Sequence, residues 1–198
     1  MSFYKEVEIS VEKLKNGKIL LYPTDTIWGL GCDAFNINAI KKIYKIKNRK
    51  IYKPMILLVE NIDRLYSLVG KISDFNIKII SDNIRYRKKP ITIIYDHIYD
   101  KKIPNLLFSR NDYHQYSIAI RLTNDPFCAH LIKKLDKPII STSANISGYD
   151  SPRFFYEISY DILKNVDYAV NIRRNEQSNY ANSSIIKIIS KKIKILRT

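Results

Sequence analysis

Residues 183–196, SSIIKIISKKIKIL, hold two β-branched runs separated only by Ser190 and Lys191. Such runs suit the pleated, half-buried surface of a sheet. A connection this short joins strands antiparallel, because a parallel return needs a crossover of roughly a dozen residues or more. Working upstream, strands are expected in DYAVNI (167–172), KPIIST (137–142), SIAIR (117–121), ITIIY (91–95), MILLV (55–59) and KILLYP (18–23). A helical segment is expected near residues 154–164 and another helix between SIAIR and KPIIST. Asn36 can cap a helix carrying Ile37, Ile40, Ile43, Tyr44 and Lys47 on neighbouring turns. At the start, EVEISVEKLKNG sets Val7, Val11 and Leu14 at helical spacing and stops at Gly17, a helix C-terminus signal. Helices alternating with strands, some of which cannot be parallel, predict an α/β fold. Its form is one domain over residues 1–198 with a twisted mixed parallel/antiparallel sheet flanked by helices. No Gly-x-Gly-x-x-Gly follows the first strand, which excludes the dinucleotide-binding form of this class.

A chain of 198 residues with 45% hydrophobic content fits one ordinary domain. No apolar run reaches the roughly 18 to 20 residues that cross a bilayer. The opening MSFYKEVEIS does not resemble a secretory leader, so a cytoplasmic protein without membrane contact is expected. Cys32 and Cys128 form no Cys-x-x-Cys unit and are read as free thiols. His97, His114 and His130 lack metal-ligand spacing, no Gly-x-Ser-x-Gly elbow supports a catalytic triad, and Walker A is missing. The net charge of +15 fits a polyanionic partner, but abundant Ile, Asn, Lys and Tyr also fit a codon drift toward A and T. Charge alone leaves both readings open.

Four segments concentrate polar chemistry. In YPTDTIWGLG (22–31), the hydroxyls of Thr24 and Thr26 flank Asp25 at a strand's end, where α/β sheets place ligands; a capped turn beside a packed Trp28 is the plainer reading. KIKNRKIYKPM (45–55) crowds Lys45, Lys47, Arg49, Lys50 and Lys53 into a helix end and the following loop. These cations serve either a solvated helix terminus or a phosphate clamp, with Lys47 and Arg49 aimed at one polyphosphate. Arg121 ends an apolar strand and suits either an amino-acid carboxylate in a cleft or a core salt bridge. KPIISTSANISG (137–148) runs a buried strand into Ser141, Thr142, Ser143, Asn145 and Ser147, neutral groups able to wrap phosphate or ribose oxygens.

In this order and spacing, the four segments resemble the YrdC/TsaC family of L-threonylcarbamoyladenylate synthases. That family's signature runs from Pro-Thr-(acid)-Thr-x-(aromatic)-Gly-Leu-Gly through Lys-x-Arg to Ser-x-Asn. The likeness covers roughly residues 8–197 and includes ILR at 195–197. It implies a YrdC-like fold with a concave ligand cleft, in which L-threonine, bicarbonate and ATP give threonylcarbamoyl-AMP and pyrophosphate for tRNA modification. By the same likeness, Thr26, Arg121 and Ser183 hold threonine, with Arg121 on its carboxylate. Lys47, Arg49, Lys53, Ser117, Ser141, Ser143, Asn145, Ser151 and Arg197 line the ATP region, Lys47 and Arg49 being the catalytic pair. Mg2+ rides on the ATP phosphates and needs no protein metal cage. The resemblance further implies a tRNA threonylcarbamoyl-transfer partner.

The chain departs from the family pattern at Lys50, where Pro is frequent, and at Leu58, where some members carry a threonine-contacting His. It also has Asn182, Ser183 and Ser184 in place of Glu-Ser-Thr, and by its stop at Thr198 it reads as the short form. The alternative function is a non-catalytic YciO-like double-stranded RNA-binding module contacting RNA through a basic face. A carbamoyltransferase module of hydrogenase maturation is disfavoured because its companion domains are missing.

Overall fold

The computed structural model describes residues 2–51, 53–86, 88–110, 116–178 and 182–198; His114 lies outside them. The chain opens with α1 (Phe3–Lys15), whose N-terminus is capped by Ser2 and which buries Val7, Val11 and Leu14, the spacing expected from sequence. Strands β1 (Leu20–Tyr22) and β2 (Gly29–Gly31) follow, then α2 (Ile37–Ile46), capped by Asn36 as expected. Next come β3 (Ile56–Val59), α3 (Ile62–Val69), α4 (Asp74–Arg85) and β4 (Ile91–Tyr95). Strands β5 (Ser109–Arg110) and β6 (Tyr116–Leu122), helix α5 (Pro126–Leu135) and β7 (Ile139–Ser143) lead to a short α6 (Tyr160–Leu163) and β8 (Tyr168–Ala169). The hairpin β9 (Ser184–Ile189) and β10 (Lys192–Arg197) ends the chain.

Among the described residues the strands form one mixed sheet in the order β10-β9-β4-β6-β3-β7-β2-β1-β8, with β5 paired to β6. The pairs β3/β6, β4/β9 and β1/β8 are parallel. The terminal pair is antiparallel, and Ser190 and Lys191 both take positive φ (47° and 61°), as the tightest hairpin turns require.

Alternation along the strands sorts side chains between two faces. Leu57, Val59, Ile93, Ile118, Ile120, Ile140 and Ile186 pack with α2, α3 and α4 in the larger core. On the other face Leu20, Tyr22, Leu58 and Ile139 meet α1 and α5 in a second core. That second face continues past α1 and α5 into the cavity described below.

The helix expected over residues 154–164 is a correction. A 3-10 turn at Phe155–Glu157 is separated from α6 by extended Ile158 and by Ser159, whose hydroxyl caps the Ile162 N–H. Helices α3 and α4 were not anticipated; each begins at a side-chain cap, Asn61 and Ser73. Strand β2 carries no β-branched signal, two of its three residues being glycine. A Cβ on Gly31 would sit 2.3 Å from the Ile140 carbonyl oxygen, so β2 lies against β7 only because that side chain is missing.

Candidate active site

The site begins with how α2 stops. Asn48 takes a left-handed φ of 47°, its N–H bonds the Lys45 carbonyl, and the Arg49 N–H reaches back to the Tyr44 carbonyl at 2.9 Å. This paired closure is a Schellman motif. It swings the chain so that Lys47 and Arg49, two residues apart, leave in different directions. The Arg49 guanidinium is anchored on the Lys53 and Pro54 carbonyls, each at 2.9 Å, and lines a cavity of about 250 Å³. Burial pulls its pKa below the ordinary arginine value.

Arg121, 4% exposed on β6, enters the same cavity on the face shared with Ala119. Its Nη2 lies 3.2 Å from Asp25 Oδ1 and its Nη1 donates to Thr26 Oγ1 at 3.3 Å. Its Nε is buried without a partner, and a ligand oxygen would relieve that cost. The loop before β2 orients Thr26 by elimination. Thr24 Oγ1 donates its one proton to the Ile27 carbonyl at 2.8 Å, so in the 3.0 Å contact between the two hydroxyls Thr26 is the donor.

Arg197 arrives by a β-bulge. Ile195 pairs with Ile186, yet Arg197, not Leu196, pairs with Ile185. The extra residue re-aims the side chain, since residues facing each other across a ladder share a face and Ile185 lines the cavity. Arg197 Nε and Nη2 donate to the Ser183 carbonyl at 3.2 and 2.8 Å, while Ser183 Oγ contacts Thr92 Oγ1 at 2.7 Å. Burial first, then Arg121 and Arg49, lowers the Arg197 pKa. Three guanidiniums from three separate elements therefore share one chamber, and no carboxylate lines it among the described residues.

Strand β7 supplies Ser141 and Ser143 to the same wall, with Thr142. Ser143 Oγ donates to Asn145 Oδ1 at 2.5 Å, and Asn145 Nδ2 donates to the Tyr149 carbonyl at 2.6 Å. Lys47 is 1% exposed and its Nζ donates to the carbonyls of Ser143 and Asn145 and to Asn145 Oδ1. Burial, and secondarily Arg49, pulls its pKa down to about 7.

The cavity thus brings together Thr26, Arg49, Arg121, Ser141, Ser143, Ser183 and Arg197 of the residues expected from sequence. Lys47 and Asn145 stand directly behind Ser143 and do not line it. Lys53 contributes its carbonyl, with an exposed side chain, and Ser117 lies on the Arg121 face but beyond the cavity wall. Ser151 sits between Asp150 and Pro152, which line a separate groove. Sequence reading missed Ser109, which reaches the cavity through its register with Ser117, and the apolar floor of Met55, Ile56, Ile94 and Ile185. The period-2 pattern of ITIIY could have revealed Ile94; no local signal marks Ser109.

Fold and site together define an α/β protein with an open mixed sheet, one face of which carries an arginine-rich anion chamber. The family described as Telomere recombination (Sua5, YciO, YrdC) matches residues 12–198. A Methanocaldococcus jannaschii relative is 35% identical over 98% of this chain and 85% of its own length. The threonylcarbamoyl-AMP synthase of Pseudoalteromonas translucida is 30% identical over 86% of this chain and 88% of its own. The chain belongs to the Sua5/YciO/YrdC family. Among solved structures, P. abyssi Sua5 complexed with L-threonine superposes with a TM-score of 0.82 at 22% identity, covering all of this chain; the chain spans 54% of that longer one. E. coli YciO superposes with a TM-score of 0.76 at 20% identity, covering 99% of this chain and 89% of its own.

Proposed function

We propose that the chain is a threonylcarbamoyl-AMP synthase, forming threonylcarbamoyl-AMP and pyrophosphate from L-threonine, bicarbonate and ATP. One observation carries the reading: Arg49, Arg121 and Arg197 converge on a chamber edged by Ser and Thr hydroxyls and lined by no carboxylate among the described residues. Such a chamber suits several anionic groups at once, here a carboxylate, a carbamate and phosphates. The similarity to threonylcarbamoyl-AMP synthases and to a Sua5 that binds threonine supports the choice.

In this mechanism, Arg121 holds the threonine carboxylate and the hydroxyls of Thr26 and Ser183 orient the amino acid. Threonine's amine and bicarbonate give a carbamate and water. A carbamate oxygen then attacks the α-phosphorus, and the bond from that phosphorus to the bridging oxygen breaks as pyrophosphate leaves. No protein nucleophile takes part, so catalysis is positioning and charge neutralisation by Arg49 and Arg197.

Magnesium fits as a companion of the ATP phosphates, whose negative charge it would offset. The proton of Ser143 Oγ goes to Asn145, so its lone pairs are left for such an ion, and no group of three carboxylate, imidazole or thiolate side chains gathers among the described residues to form a cage. Contact with tRNA and with its threonylcarbamoyl-transfer machinery belongs to the same reading. It rests on the run 34–59, which holds seven Lys and Arg and no Asp or Glu. No described helix is long and apolar enough to cross a membrane, and a cytoplasmic setting is part of the proposed reading. Pyrophosphate release should require threonine, bicarbonate and ATP together. Release that ignores threonine would overturn this reading, and no release at all beside double-stranded RNA binding would replace it with the YciO-like one.

A further inference from the structure

Among the described residues, Lys47 is the one buried cation at this site that the mechanism leaves without a task. We infer that Lys47 is a positioning residue: its ammonium clamps the end of α2 to the turn after β7 and fixes the amide of Asn145, which sets the direction of the Ser143 hydroxyl. The inference rests on the synthase reading only for its catalytic consequence; the clamp itself is a matter of geometry.

In its charged form Lys47 Nζ has three protons and no acceptor capacity. Three oxygens receive them here: Ser143 O, Asn145 O at 2.6 Å and Asn145 Oδ1 at 3.3 Å. None is left for a phosphate. The backbone completes the staple from the other side, the Ser147 N–H donating to the Lys47 carbonyl at 2.8 Å. Asn145 Oδ1 must face Lys47, because an amide nitrogen there would set donor against donor. Its Nδ2 is thereby turned to the carbonyls of Tyr149 and Ile146. With Oδ1 so placed, Ser143 Oγ donates to it and presents lone pairs to the cavity. Reversing the amide would reverse the hydroxyl, making Ser143 a donor where an acceptor now stands. Lys47 thus acts on the reaction through Asn145 and Ser143, whereas Arg49, two residues on, lines the cavity itself.

The test is amide hydrogen exchange on the ligand-free protein combined with a double-mutant cycle. Lys47→Met should speed exchange across residues 143–149 at least tenfold, with Arg49→Met leaving that turn unchanged. Turnover in Lys47→Met should fall at least tenfold while calorimetric affinity for inorganic pyrophosphate changes less than threefold. Adding Asn145→Ala should cost little more, because the two residues work as one unit. If Lys47→Met does not fold, Lys47→Arg carries the same measurements, and its planar fork should reproduce the loosened turn with smaller amplitude. Unaltered exchange in 143–149, a tenfold loss of pyrophosphate affinity, or additive effects with Asn145→Ala each overturn the clamp. Faster exchange in a protein whose wild type makes no pyrophosphate would retain the clamp and remove the synthase reading.

Discussion

Arg121 holds the structure through one ion pair and lines the chamber with the same side chain. Its ion pair with Asp25 is nearly out of water, at 4% and 12% side-chain exposure, so truncating one partner strands the other. Arg121→Ala should raise the threonine requirement roughly 10- to 100-fold, the size of a lost charge-assisted contact of about 1.5 to 3 kcal/mol, with ATP affinity largely kept in calorimetry. The same substitution should lower the melting temperature, and Asp25→Asn in the same chain should restore much of it by removing the stranded charge; equal threonine affinity would take Arg121 out of the site. Lys47 makes a pH prediction. Its folded pKa near 7 lies below the ordinary lysine value, so between about pH 7 and 10 the unfolded chain binds a proton that the folded one does not. Stability should therefore rise with pH across that window by chemical denaturation, and Lys47→Met should flatten the rise. Sequence exposed these cations as a cluster but not their division of labour. Arg49 and Arg121 could be read from type and position, whereas the separate direction of Lys47 follows from the left-handed turn at Asn48, which side-chain spacing does not encode.

At the scale of elements, parity decides what reaches the cavity. The bulge at Leu196 lets Arg197 stand opposite Ile185, so removing Leu196 should leave the guanidinium on the same face and pyrophosphate release within about fivefold of wild type. Inserting one Ala between Leu196 and Arg197 should turn it toward the helices and cost as much as Arg197→Ala. Equal loss in the deletion and the insertion would remove the bulge from the account. Elements with strong local signals were legible: α1 and α2 from spacing and caps, and β4, β6, β7 and the terminal hairpin from β-branched runs. Those fixed by tertiary contact were not. Strand β2 exists because Gly31 admits the Ile140 carbonyl, and the short β5 because it pairs with β6. Helix α4 fully buries only Ile80, although Ile77, Ile80 and Ile84 follow helical spacing, and Ser159 interrupts a segment whose composition alone favours a continuous helix.

Across the whole molecule, the sheet divides its two faces between different tasks. One is closed by α2, α3 and α4 over the larger core, and the other is half closed by α1 and α5 and half left as the arginine-lined chamber. The class of fold was readable from connection lengths; the order of the strands, with β7 between β3 and β2, was not, because long-range pairing leaves no local mark. Net charge was ambiguous in sequence and becomes specific only where Arg49, Arg121 and Arg197 are seen to converge. That convergence has a laboratory consequence. A chamber so rich in guanidinium will take up the counter-ions of its storage solution, and any species bound only by the folded state stabilises it by mass action, about 2.7 kcal/mol at a hundred times its dissociation constant. Sulfate or inorganic phosphate should raise the melting temperature above that in chloride of equal ionic strength, and the increment should shrink in Arg197→Ala, which separates site occupancy from the general salting effect. Kinetic assays begun from such solutions would measure displacement of a squatter before they measured substrate.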